Sequence, residues 1–589
     1  MRESTATDVA LEEVFGVGQR EIRRSARQKT HLPNALFAKF LHVVDSSGVL
    51  ERLDAWDLED GRSPAGRKAT VGRRAVLMAF LMNSYWGEGY SYMALKATIV
   101  DRMTREQADR LGFDPEEATE DEWYHRAWRA TQGILHLIDP WHEAPGLKRK
   151  LTGEEYAEAR DKYDKARESR GHEMSALLVR ASLELLPKKY LETYRGDLAL
   201  DSTLVEVQGA MNPNDYSKRS LRTRKGLPKR DMRNGDYQCG WYVRQGNHDG
   251  TESDKAQPGY ELDTTVMIDT KNGAFPFPLI TGVSFHRPAE ISETAITTIE
   301  QHAAFTDKRG LVVVDRAFNG LDTHQFQEPV RRMRYETVYD YKYTDLGPQG
   351  SVPGKPIIIV DGVPYVNRMP ESYVMISLWH AKGVEDPATG KPYTLEKRDE
   401  IHQAREVYQM IPKGKIDADG HQRFTYPDPR KYVGFDPGTG KITKDNPTGS
   451  VTIGLEKDVI KHLQKFPWKS EDWFRAYGQR NQVEMSNMLL KRPGSTNLAQ
   501  QVVRTGRGYA YNYFAAMIAS VATNIRHIIQ GLIKLNATDS DGQPKHRVRK
   551  RRDTRGCRLN RTTETQMLSG AESAPPEVGV IGKNVWIEV

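Results

Sequence analysis

Residues 310–318, GLVVVDRAF, form a nearly continuous apolar run closed by an acid. Such a run marks a short strand buried on both faces, as in a sheet covered by helices on either side. Working outward, 293–305 (ETAITTIEQHAAF) reads as the amphipathic helix that precedes it. Further upstream, 197–209 (DLALDSTLVEVQG), 262–273 (LDTTVMIDTKNG) and 277–286 (FPLITGVSFH) are short β-rich runs separated by turn residues. Downstream, 321–333 (LDTHQFQEPVRRM) and 335–343 (YETVYDYKY) supply a further helix and strand. The order of three strands, helix, strand, helix, strand predicts an α/β domain around a mixed central sheet.

On either side of this domain the pattern changes. From Asn34 to about residue 190 apolar residues recur three and four apart, as in 36–44, 73–87, 123–138 and 174–186, which predicts an all-helical region. Within it, 66–100 reads as helix, glycine-containing turn, helix. That layout suits either a helix-turn-helix DNA reader, with Arg67, Lys68, Arg73 and Arg74 near phosphates, or a plain helical bundle. Residues 344–469 are rich in Pro and Gly and carry the strand-like runs 356–369, 371–382 and 450–458, so they are expected to form a β-rich insertion. The domain reading is therefore an N-terminal arm (1–33), a helical DNA-binding domain (34–190), the α/β domain in two parts (191–343 and 470–535) around the insertion, and a basic flexible tail (536–589).

Composition narrows the function. The 589 residues carry a formal charge of +7, a mild excess that fits a polyanionic partner. One basic run includes Lys218, Arg219, Arg222, Arg224 and Lys225; a second lies between Lys545 and Arg558. Both suit phosphate contacts, which give affinity without sequence readout. Only Cys239 and Cys557 are present, which excludes a disulfide scaffold and paired-cysteine zinc sites, so a bound metal needs oxygen ligands. No apolar run has the ~18–20 residues of a membrane span, and 1–16 lacks the order of a signal peptide, so a cytoplasmic protein is expected.

Two acids sit where chemistry is expected in such a sheet. Asp201 ends LALD and Asp315 ends LVVVD, so both lie at the mouths of buried strands, where they can share hard cations. An isolated aspartate in such a place more often caps the next turn. In 473–492 (WFRAYGQRNQVEMSNMLLKR), Arg480, Glu484 and Lys491 follow Tyr477 by three, seven and fourteen residues. One helix face thereby presents a carboxylate between cations and a ring.

Y-x2-R-x3-E-x6-K, matched by Tyr477, Arg480, Glu484 and Lys491, resembles the signature of bacterial insertion-sequence transposases with a DDE active site. DRAFNG at Asp315 resembles the segment around that family's second acid, with Ala317 and Phe318 where Gly and Tyr are commoner. DSTLV at Asp201 resembles the segment around the first, and 284–294 (SFHRPAEISET) the region between them. The resemblance covers roughly residues 197–535.

It implies a ribonuclease-H-like fold, catalytic and metal-binding roles for Asp201, Asp315 and Glu484, and two Mg²⁺ ions, with Mn²⁺ as a substitute. Such a site serves both water-driven cleavage and transfer of a freed 3′-hydroxyl. Arg480, Lys491 and Arg316 are then expected on phosphates, Tyr477 on a base or phosphate, and Trp379 against an unstacked base. Terminal inverted repeats and target DNA are the expected partners, with a dimer on two DNA ends at the chromosome. Two other readings remain: a nuclease of the same fold without strand transfer, and a transposase-derived DNA-binding protein. His286, Glu290 and Glu293 are expected to cap the following helix in solvent, and Cys239 and His248 to carry no chemistry.

Overall fold

The computed structural model describes residues 5–62, 70–147, 151–207, 236–244, 255–271, 275–288, 291–432, 447–536, 551–552 and 558–559. The chain is a mixed α/β protein with a helical N-terminal region. Its main sheet contains β1 (Leu198–Glu206), β2 (Gly240–Arg244), β3 (Lys255–Met267), β4 (Ile280–His286), β5 (Leu311–Val313) and β6 (Glu336–Val338). The order is β2-β3-β1-β5-β6, with β4 also paired to β3. β1 runs antiparallel to β3 and parallel to β5, and β5 parallel to β6. The apolar run at 311–314 is buried throughout, as its lack of alternation requires.

Helices cover both faces of the sheet. Helix Ile291–Phe305 follows β4 and packs on one face, where Ser284 Oγ donates to Thr294 O at 2.9 Å. Gly282 permits that approach: a Cβ there would lie 2.2 Å from Thr298 O. Gly282→Ala is expected to lower stability by about 1–3 kcal/mol through overpacking, read as a lower denaturant midpoint. On the other face lie helices Asn481–Lys491 and Tyr509–Leu535. Tyr513 stacks on Phe285 at 5.2 Å between centroids, and the Asn524 amide accepts from Ile280 N and donates to Ile280 O, both at 2.8 Å.

The N-terminal helices share this core. Every residue from Ala75 to Trp86 of helix Arg73–Trp86 is buried, and Phe80 meets Phe514 of the long helix edge to face at 5.1 Å. A helix enclosed all round has no face to offer a DNA groove, so Arg73–Trp86 serves as a packing helix, whereas Tyr92–Ala97 after the turn buries only Leu95. Residues 6–28, read as an arm, form helices Ala6–Phe15 and Gln19–Gln28 instead. Leu11 and Phe15 are fully buried, and Thr7 Oγ1 donates to Asn536 O at 3.2 Å.

Between β6 and helix Glu471–Tyr477 lie two three-stranded sheets, one of Pro348–Ser351, Ile357–Val360 and Val363–Val366, the other of Ile411–Pro412, Gln422–Thr425 and Ser450–Ile453. Helices Glu371–Lys382 and Leu395–Ala404 accompany them. ESYVMISLWHAK, read as a strand, is thus a helix. Pro370 precedes its first residue, left-handed Gly383 closes it, and it buries Ile376 and Ser377, not alternate residues. The basic run at 218–225 and nearly all of the tail lie outside the described residues.

Candidate active site

The pairing of β1 with β5 sets the two aspartates. Ala199 is in register with Val313, the last residue of β5, and Asp315 follows two residues beyond it, near enough for Asp201 to feel its charge. Asp315 also caps the short helix that follows, accepting from Ala317 N at 2.8 Å with Oδ1. The capping role and a place near Asp201 coexist, because the cap occupies one carboxylate oxygen.

Glu484 arrives from a separate element. Helix Glu471–Tyr477 ends at the tyrosine, Gly478–Arg480 form a tighter turn, and helix Asn481–Lys491 begins. Asn487, one turn beyond Glu484, accepts from Thr264 Oγ1 at 2.9 Å, and Thr264 is the cross-strand neighbour of Asp201. This bond ties the glutamate's helix to the aspartate's strand. Asn487 was missed in the sequence, although its place three residues after Glu484 puts it on the same helix face.

Arg480 joins the two elements. Its Nη1 lies 3.5 Å from Asp201 Oδ1, and its Nη2 donates to Glu484 Oε1 at 2.6 Å. Burial pushes the Asp201 carboxyl up to about 7; Arg480 opposes the rise, while Asp315 and Glu484 add to it. Asp201 is thus a half-buried acid that feels two others, Glu484 among them being exposed, and a guanidinium offsets part of their repulsion. Tyr477 stacks on Trp473 at 4.5 Å between centroids, and burial pushes its hydroxyl above the ordinary range, so it is a neutral donor. Burial lowers Lys491, against the pull of Glu206 and Asp201.

Hard oxygen donors around a site short of positive charge fit a divalent cation of the Mg²⁺ type. Among the described residues no three His, Cys, Asp or Glu side chains are grouped closely enough to hold one metal ion as they stand. Arg480 links Asp201 to Glu484 in this arrangement, so gathering the carboxylates on a cation requires its displacement. The chain matches no family model and no curated protein in either comparison.

The other expected contacts fall differently. Arg73 pairs with Asp54 and Asp57, and Arg74 with Asp45, so both are engaged within the helical region. Trp379 lies on a helix and stacks on Tyr393 at 5.6 Å, which makes it a packing residue of the insertion. Arg316 is half-buried directly after Asp315. Arg67, Lys68, Lys218, Arg219, Arg222, Arg224, Lys225, His248 and Glu290 lie outside the described residues, as does the side chain of Glu293. His286 is buried against Asp263, with Nε2 3.2 Å from Oδ2, and not in solvent. Burial works to lower it, but Asp263 and Glu261 outweigh burial and hold it at about 9. Strand alternation places it there, on the face opposite Asp201.

Proposed function

We propose that this chain is a DDE transposase that cuts and rejoins DNA at Asp201, Asp315 and Glu484. The observation that carries the reading is the register bringing Asp201 near Asp315, together with the Arg480 link from Asp201 to Glu484. The mixed sheet, with an antiparallel set on one side of β1 and parallel β5 and β6 on the other, supports a ribonuclease-H-like fold. Asp201, Asp315 and Glu484 would hold Mg²⁺ or Mn²⁺, which supplies activation of the attacking oxygen and stabilisation of the leaving one.

The remaining roles belong to the chain's own groups. Asp201, kept near neutrality by burial, gains full charge as cationic partners arrive. Arg480, released from the carboxylates, presents forked donors to a phosphate, and Lys491 adds a charge. Tyr477 offers a neutral hydroxyl from a ring fixed by Trp473. The partners are the transposon ends and target DNA, engaged by a dimer at the chromosome.

The test uses DNA flanking this reading frame as substrate, with Mg²⁺ and with EDTA. Metal-dependent cuts at inverted repeats followed by joined products are expected. Cut ends without joined product would leave a nuclease, and tight end binding without cleavage a DNA-binding protein.

A further inference from the structure

A pocket of about 320 Å³ lies between helix Glu120–Leu137 and the turn that opens helix Tyr509–Leu535. Its size is within the range of small-ligand sites, roughly 300–1,000 Å³. Trp128, Gln132, Leu135 and Asp139 line one wall at intervals of three and four residues, which is one stripe of the helix and its end. Gly506, Arg507, Gly508, Ala510 and Tyr511 form the opposite wall. A Cβ on Gly506 would strike the Tyr511 ring at 2.3 Å, and Gly508 has φ +87°, so glycine is required for the turn to close here.

Its chemistry is of three kinds. Trp128 is 41% exposed and, among the described residues, has no ring or cation partner, so its face is available for stacking. Arg507 is exposed at the opposite wall and, among the described residues, makes no ion pair. Between them lie fixed polar groups. Gln238 is buried, and its Oε1 accepts from Tyr509 N at 2.7 Å, which directs its amide NH₂ as the remaining donor. Gln132 donates to Tyr92 Oη at 2.9 Å. Burial pushes the Asp139 carboxyl up to about 6, so it can accept or donate near neutral pH.

The segment that enters the pocket is tied to the strand bearing Asp201. On the segment leading to it, Gln501 donates to Glu206 Oε2 at 3.1 Å and Arg504 donates to Glu206 O. Glu206 ends the strand that bears Asp201, about 17 Å further along at ~3.3 Å per residue. Lys491 feels both carboxylates and lies between these regions.

We propose that this pocket binds an unpaired nucleotide, its base stacked on Trp128, its edge read by Gln238 and Asp139, and its phosphate held by Arg507. An aromatic face, hydrogen-bonding amides and an unpaired cation are the combination that holds single-stranded nucleic acid. The inference rests on the DNA-directed reading above and adds a second site to it.

The test measures binding by the full chain in EDTA, using fluorescence polarisation with a short single-stranded oligonucleotide, the same strand with one abasic position, and the matching duplex. Trp128→Ala and Arg507→Ala are each expected to weaken single-strand binding about tenfold, with duplex affinity unchanged and Trp128→Phe restoring most of the loss. The abasic strand should bind wild type and W128A alike. Both residues are exposed, so thermal melts should match wild type. Single-strand affinity unchanged in both variants, or no single-strand binding by wild type, would overturn the pocket. Pocket-dependent binding by a protein that never cleaves its ends would support the pocket and overturn the transposase reading.

Discussion

Replacing Asp201 or Asp315 by Asn, or Glu484 by Gln, is expected to reduce metal-dependent DNA cleavage by about a thousandfold or more while leaving end binding within a few-fold of wild type. Each change removes one charge and keeps the shape, so the loss reports the electrostatics of the site and not its packing. Residues acting as one unit are not additive, and a double replacement should be little worse than either single one. Gel assays of end cleavage and of end binding, run on the same preparations, check both parts. Any of the three variants cutting within tenfold of wild type would remove that residue from the machinery.

A second large effect concerns stability without metal. The Asp201 carboxyl is raised to about 7 in the folded protein, against about 3.9 in the unfolded chain. The folded state therefore holds a proton that the unfolded state releases. This contribution is fully present below pH ~4 and is lost as pH rises through about 7. At pH 8 the charged, buried Asp201 costs on the order of 2–4 kcal/mol, and Asp201→Asn should recover much of it. Denaturant unfolding in EDTA at pH 5 and pH 8 should show Asp201→Asn stabilised at the higher pH and nearly equal to wild type at the lower. Asp139, raised to about 6, and His286, held at about 9, add slopes of their own, so the difference between D201N and wild type isolates the term. Mg²⁺ should stabilise wild type at pH 8 more than D201N, since a ligand stabilises the state that binds it. Equal stability of the two proteins at pH 8 would show that Asp201 carries no buried charge.

How much was legible in the sequence follows from the kind of signal each residue left. The sheet was readable because a strand enclosed on both faces must be apolar throughout, and 311–314 is. Asp315 was readable as a strand-end acid and Arg480 and Glu484 as neighbours one helical turn apart; Asp201, read as a strand end too, instead sits within β1, which continues to Glu206. Which strands pair, and in what register, leaves no local mark; yet that register brings the aspartates together. The helix at 371–382 was misread because its apolar residues are divided among three clusters, Leu378 and Ala381 on the main core, Val374 beside that of Tyr365, and Ile376 with Tyr393 and Ile401, so no single face sets a clear period. Arg73 and Arg74 looked available for DNA because the acids that hold them, Asp45, Asp54 and Asp57, are distant in sequence. His286 and the Trp128 pocket depend on contacts between elements far apart in the chain.

The enclosure of helix Arg73–Trp86 against the long helix Tyr509–Leu535 also bears on how this protein can be divided. A truncated chain beginning at β1 would expose the apolar surface that Phe80 and its neighbours now cover, and is expected to aggregate instead of yielding a free catalytic fragment. Limited proteolysis should accordingly leave both halves held together after nicking. Grafting another protein's N-terminal helices onto this sheet would require matching an interior, which is far more demanding than exchanging an appended module.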